Sequence, residues 1–409
     1  MTERPRLRRD IEAFPVEQDG QTLTGVRDPA GYTPSVLVLS GPLLAIVALF
    51  DGERSVVDIQ AEIMRRDGEL VRREQIEEIV AALDAHGFLE GDALAARRRT
   101  VDGEFRAMPV RRAAHAGGAY AGDADELRRA MDGFFEAAAG PGAIRWAAAP
   151  SRPPVQGIIA PHIDYHRGGP AYAWAYRDLA ERCDADCFVI FGTCHAGMAD
   201  PFSLTRKDFA TPLGDARVDR DLVDALAARA GQDCFASELA HRAEHSIEFQ
   251  AVFLRYLFGG RRDFTIVPVL ASFAHEALGA GRGPEHDRRV PRFLEALGEC
   301  VAASGRRVAL IAGADLAHVG PRFGDAAPLG SDELGRVERE DRAMLAAVEA
   351  GDPAAFFAAV AADGDRRRIC GLSPIYALLR ALPERRGSLK HYGQWPDPQA
   401  VVSYASVVF

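Results

Sequence analysis

The chain has 409 residues, 48% apolar and 26% charged, with 49 basic and 59 acidic side chains and a net charge of −10. That length exceeds what one ordinary core holds, so two domains of unequal size are expected, and the balance is that of a folded chain, not a disordered one. Both parts are acidic, with 13 basic against 18 acidic side chains up to residue 100 and 36 against 41 beyond it, which excludes the basic excess that a phosphate backbone requires.

The charged opening, Met1 to Arg6, leads into no apolar segment. The longest apolar stretch, Ser35 to Phe50, is interrupted by Gly41-Pro42 and falls short of the ~20 residues of a membrane helix. A cytoplasmic protein without a membrane partner is expected. Six cysteines, at 183, 187, 194, 234, 300 and 370, are too sparse for a disulfide framework, so each is a core thiol or a functional thiolate.

Residues 20–40 read as short extended segments with turns at Asp28-Pro29-Ala30-Gly31 and Thr33-Pro34. Three helical patterns follow. The first carries Leu43, Leu44, Ile46, Val47 and Phe50 and stops at Asp51-Gly52. The second opens at Ser55 with Asp58 three residues on, and the third repeats Ile76, Ile79, Val80 and Leu83 before ending at Gly87. Small strands and three helices predict a winged-helix-like α+β domain over residues 1–95. Leu49-Phe50-Asp51-Gly52 ahead of Val56-Val57-Asp58-Ile59 resembles the PqqD-like peptide-recognition domains. Arg72 and Arg73 stand against Glu74, Glu77, Glu78 and Asp84 on the third helix, an acidic balance that predicts peptide or protein binding and no nucleic acid. Residues 96–111, with Arg97-Arg98-Arg99, read as a linker or a solvated helix.

From residue 112 onwards, apolar runs at Val155–Ala160, Phe188–Gly192, Phe264–Leu270 and Val308–Ala312 alternate with amphipathic patterns near 170–182, 246–259, 288–303 and 334–349. The alternation predicts an α/β domain over residues 112–409, with a mostly parallel central sheet flanked by helices. Three of these runs end in a histidine turn, at Pro161-His162, Thr193-Cys194-His195 and Asp315-Leu316-Ala317-His318. In open α/β sheets the carboxyl ends of the strands form the ligand crevice, so three imidazoles are expected to converge on one cleft, the composition of a transition-metal site.

Glu244-His245-Ser246-Ile247-Glu248 opens a helix. One reading gives Ser246 a capping role and leaves Glu244 and Glu248 facing solvent; the other turns His245 into the cleft as an outer group. Cys370 stands before the helix Ile375–Leu382, where a helix dipole would favour thiolate; the alternative is a buried structural cysteine. Cys183, Cys187 and Cys194 are read as structural rather than as a zinc knuckle.

Taken in order, His115-Ala116-Gly117-Gly118-Ala119-Tyr120, Ala160-Pro161-His162, Gly192-Thr193-Cys194-His195, Thr211-Pro212-Leu213-Gly214, Glu244-His245-Ser246-Ile247-Glu248, Ile266-Val267-Pro268-Val269-Leu270, Asp315-Leu316-Ala317-His318, Cys370-Gly371 and Val402-Ser403-Tyr404-Ala405 resemble the Memo family, system protein B of the AmmeMemoRadiSam set. That family is similar in fold to the class III extradiol dioxygenases, whose iron sits on two histidines and a carboxylate, with cysteine replacing the carboxylate in Memo proteins. The resemblance implies His162, His195 and Cys370 as ligands of iron or copper, with no nucleotide cofactor. It implies His318 as an acid–base group with Asp315 beside it, and an Amme-type and a radical-SAM protein as partners. Ile163-Asp164-Tyr165-His166 and Thr193-Cys194 depart from the family's usual residues, and His166 or Cys194 could compete for the metal.

Three functions are carried forward. The first is a metal-dependent redox protein or oxidoreductase acting on a small molecule or a peptide residue; the second is a ring-opening dioxygenase; the third is a non-catalytic peptide-binding adaptor.

Overall fold

Short alternating segments separated by turn residues make the sheet at the start of the chain. In the computed structural model, which describes residues 3–18, 20–68, 70–146, 153–326, 329–397 and 399–409, β1 (Glu12–Gln18), β2 (Gln21–Arg27) and β3 (Leu37–Leu39) pair antiparallel in that order. Four helices follow, α1 (Gly41–Val47), α2 (Val56–Asp67), α3 (Arg73–Ala85) and α4 (Asp92–Ala107). The start of α2 is a reciprocal cap: Ser55 Oγ accepts the Asp58 N–H and the Asp58 carboxylate accepts the Ser55 N–H. Ile76, Val80 and Leu83 of α3 join Ile59, Ile63 and Phe88 in the core of this unit.

By its contacts the chain divides into two compact units, residues 1–108 and 109–409, so the boundary falls inside the 96–111 segment. Residues 96–107 of that segment belong to α4, the helix alternative, whose buried side chains are Leu94 and Phe105.

The second unit holds β4 (Val110–Arg111), β5 (Gly157–Ala160), β6 (Cys187–Thr193), β7 (Phe202–Leu204), β8 (Asp208–Phe209), β9 (Thr265–Ala271), β10 (Val308–Gly313), β11 (Asp315–Val319), β12 (Ser388–Asp397) and β13 (Ala400–Val408). Its helices are α5 (Ala124–Glu136), α6 (Tyr165–Arg182), α7 (Arg220–Arg229), α8 (His245–Phe258), α9 (Ala274–Gly279), α10 (Arg289–Ser304), α11 (Ser331–Ala350), α12 (Pro353–Ala361) and α13 (Leu372–Ala381). The apolar runs read from the sequence are β5, β6, β9 and β10, which lie side by side and parallel in the order β5-β10-β6-β9 at the centre of an eight-stranded sheet. They are apolar throughout because helices cover both faces, as a parallel sheet requires.

Antiparallel strands finish the sheet: β7 beside β9, and β13 beside β5, with β11 and β12 paired to β13. The β13 strand is buried along its whole length yet carries Ser403 and Ser406. Their hydroxyls are used internally, Ser403 Oγ bonding the Ala317 N–H and the Asp341 carboxylate. Among the described residues, no helix is long and apolar enough to cross a membrane.

Two glycines let α8 lie against the strand ends. A Cβ at Gly192 would stand 2.5 Å from Ile247 and from Ser246 Oγ, and one at Gly313 would collide with the Ser246 carbonyl. Only glycine at the ends of β6 and β10 allows the first turn of α8, with His245, to sit over the carboxyl edge of the sheet.

Candidate metal centre

At that edge β5 leads into Pro161-His162, β6 into Cys194-His195, and α8 starts at His245. One ring nitrogen from each of His162, His195 and His245 lies within 4.8 Å of the other two, the one such cluster among the described residues. The ring centroids are 5.0 Å apart for His162 and His195, 5.2 Å for His162 and His245, and 4.6 Å for His195 and His245. Cys370, on the loop before α13, brings Sγ to 3.3 Å from His162 Nε2.

Each imidazole is oriented by its second nitrogen. His162 Nδ1 lies 2.9 Å from the Gly313 carbonyl; a carbonyl only accepts, so Nδ1 carries the proton and Nε2 presents a lone pair. Burial pushes His162 down to about 3, so this ring is neutral at any ordinary pH. His195 Nδ1 is held 3.0 and 3.1 Å from the two Glu244 oxygens, which again frees Nε2. Although burial opposes it, the Glu244 carboxylate raises the His195 pKa, while the side chain keeps 39% of its surface accessible.

Glu244 itself is buried. It accepts the N–H groups of His195 and Ser246 at 2.9 Å each, and lies 3.4 Å from His245 Nδ1. Burial would raise its carboxyl, but the His195 ring overrides that and holds it well below the usual range. Burial and the neighbouring His195 lower His245.

The alternative in which Ser246 caps the helix and both acids face solvent is overturned. Glu244 is the N-cap, and Glu248 is fully buried. Glu248 meets Arg111 at 2.6 Å, accepts the N–H groups of Ala114 and His115, and receives the Tyr120 hydroxyl. Arg111 also bonds the carbonyls of His241 and Glu244. This hub ties the loop before α8 to β4 and was missed from the sequence; the i, i+4 spacing of Glu244 and Glu248 was the available signal.

Cys370 precedes α13, but burial and then the nearby Asp315 carboxylate raise its thiol well above the usual value, the direction of the buried-cysteine reading rather than of the helix-dipole thiolate. Asp315 is buried, accepts the His162 backbone N–H at 2.9 Å and lies 3.7 Å from His162 Nε2; burial pushes its carboxyl up to about 6. Asp315 and His318 belong to β11, not to a turn. His318 Nδ1 lies 3.1 Å from the Leu316 carbonyl, and its ring packs edge-on to Phe323. Burial lowers its pKa.

A pocket of about 410 Å³ opens beside these groups, walled by His195, Cys370, His318, His275, Phe323 and Arg368 among others. His166 lines a different pocket and packs edge-on against Trp395. Cys194 is buried with its thiol pushed up to about 12 by burial. Neither belongs to the histidine cluster. All six cysteines are free.

Residues 111–408 match the family described as Memo-like protein. The chain belongs to the Memo-like family. A MEMO1 family protein of Aquifex aeolicus is 28% identical over 390 residues, covering 94% of this chain and 95% of its own. A MEMO1 family protein of Aeropyrum pernix is 31% identical over 275 residues, 67% and 88% of the two chains. In Thermus thermophilus a third is 28% identical over 337 residues, 82% and 92%. The Memo-like region thus spans nearly the whole second unit, including every residue of the histidine cluster, Cys370 and His318.

Proposed function

We propose that this Memo-like chain binds a redox-active transition metal, iron or copper, and uses it on a small molecule or a peptide residue. The 3.3 Å separation of His162 Nε2 and Cys370 Sγ carries the proposal. Nitrogen and sulfur ligands at ordinary bond lengths in a tetrahedral site stand about 3.5 Å apart, so the pair already has the spacing of two ligands on one ion. His195 supplies the second imidazole, and a donor set of two imidazoles and one cysteine sulfur suits iron and copper and disfavours magnesium and calcium.

Around this set the chain does what metal sites require. The Gly313 carbonyl and the Glu244 carboxylate fix the tautomers of His162 and His195 so that both offer Nε2. A bound iron or copper would contribute Lewis acidity and one-electron chemistry. His318, neutral and with Nε2 free, is placed on the same pocket to take or give a proton at a substrate atom. Asp315 holds the His162 backbone and keeps negative charge beside Cys370.

The mutual approach of His162, His195 and His245 within 4.8 Å favours a second ligand set, in which His245 replaces Cys370. Metal content of the chain carrying His162→Ala, Cys370→Ser or His245→Gln separates the two. Loss with His162→Ala and Cys370→Ser but not His245→Gln supports the thiolate set. Loss with His162→Ala and His245→Gln but not Cys370→Ser supports the histidine set. Retention of iron or copper in all three refutes the proposal.

A further inference from the structure

A second pocket of about 310 Å³ is walled in part by Ala400 and Val402 of β13, and Phe323 is common to its wall and that of the metal pocket. Its volume is at the small end for ligand sites. Two of its polar pairs share a pattern: Arg167 with Asp164, and Arg322 with Asp397. Neither guanidinium is saturated. Arg167 meets Asp164 through one terminal nitrogen, Nη2, and Arg322 reaches Asp397 only at 3.9 Å. Between the charged pairs stand two rings, Phe323 and Trp395, the indole 38% exposed where tryptophan ordinarily covers itself.

The lining thus sets two arginine–carboxylate pairs, His166 and two rings side by side, presenting both signs of charge. We infer that this pocket binds a small zwitterion with an aromatic ring, of the chemical class of a free aromatic amino acid. Its carboxylate takes the open guanidinium N–H groups of Arg167 and Arg322, its ammonium lies against Asp164 or Asp397, and its ring covers Trp395 and Phe323. The inference does not depend on the metal reading: Phe323 packs edge-on to His318, but none of these six residues bonds His162, His195 or Cys370 in the described contacts.

Calorimetric titration of the full chain with L-phenylalanine tests it, beside 3-phenylpropanoate, which lacks the ammonium, and phenethylamine, which lacks the carboxylate. Phenylalanine is expected to bind at least about tenfold more tightly than either analogue, since each lacks one charged contact. Arg322→Met and Trp395→Leu should each weaken it by about the same factor; both side chains are partly exposed, so the fold is not at stake. His195→Ala should leave the affinity unchanged. Absence of phenylalanine binding at millimolar concentrations overturns the inference, as do equal affinities for the three probes. Loss of binding in His195→Ala overturns it too, by placing the ligand in the metal pocket.

Discussion

Replacing Glu244 by glutamine changes no volume but removes the carboxylate that orients His195. In the native site both Glu244 oxygens accept, one from the His195 backbone and both within 3.1 Å of Nδ1, while Ser246 N–H takes the third bond. A glutamine has one accepting oxygen. The two backbone donors bond different oxygens, so a glutamine oxygen serves only one of them; the amide NH2 on the other side stands equally close to Nδ1 and, where it donates to that nitrogen, moves the ring proton to Nε2 and blocks the lone pair offered to a metal. If the oxygen serves Nδ1, a buried backbone N–H loses its partner. Changes to such outer groups weaken metal binding by about 10- to 100-fold, or about 1.4–2.7 kcal/mol. Competition titration with a chromophoric chelator measures this directly. Native affinity in Glu244→Gln, with the fold unchanged by circular dichroism, would refute the orienting role.

Cys370 and His245 differ in the protons they release. Because burial and Asp315 raise the Cys370 thiol well above its usual value, a thiolate ligand must shed its proton on binding at about pH 8, whereas three imidazoles would release almost none there; calorimetry in buffers of different ionisation enthalpy should give close to one proton per metal. Toward acid, His195 is the imidazole that protonates first, since its folded pKa is raised and that of His162 is pushed down to about 3. Affinity should therefore begin to fall as pH drops through the raised His195 value, and Glu244→Gln should move that fall to lower pH. His318→Gln should keep the parent's metal content while slowing any proton-coupled turnover by about 10²–10⁴-fold; metal loss equal to that of His195→Ala would place it among the ligands instead. In the first unit Arg73 is already paired to Glu77 at 2.7 Å, and Val36 and Val38 are exposed at the edge strand β3. The full chain should accordingly show no tight, salt-sensitive binding to duplex DNA; such binding at low salt would sink the peptide-docking reading of that unit.

Much of the fold was legible because its centre is built from buried parallel strands, whose unbroken apolar runs are the strongest local signal. The C-terminal pair β12 and β13 was not, because Ser403, Ser406 and Tyr404 interrupt the run and are satisfied only by partners far away in sequence, such as Asp341 for Ser403. At the site, the strand ends announced His162 and His195. Placing His245 required knowing that Gly192 and Gly313 admit a helix so close to the sheet, a tertiary fact that no window of sequence contains. For the same reason Glu248 was readable as a surface charge until Arg111, 137 residues away, was seen beside it. At Cys370 the local sequence holds two readings, a thiolate favoured by the helix that follows and a buried structural thiol, and it is the tertiary surroundings, burial and Asp315, that push the thiol up.

Elemental analysis shows whether His162, His195 and Cys370 hold a transition-metal ion. The full chain, purified without added metal and without a metal-binding tag, should carry iron or copper approaching one ion per chain, falling to background in His162→Ala, His195→Ala and Cys370→Ser while each variant stays folded. Equal iron and copper contents in the parent and all three variants would contradict it.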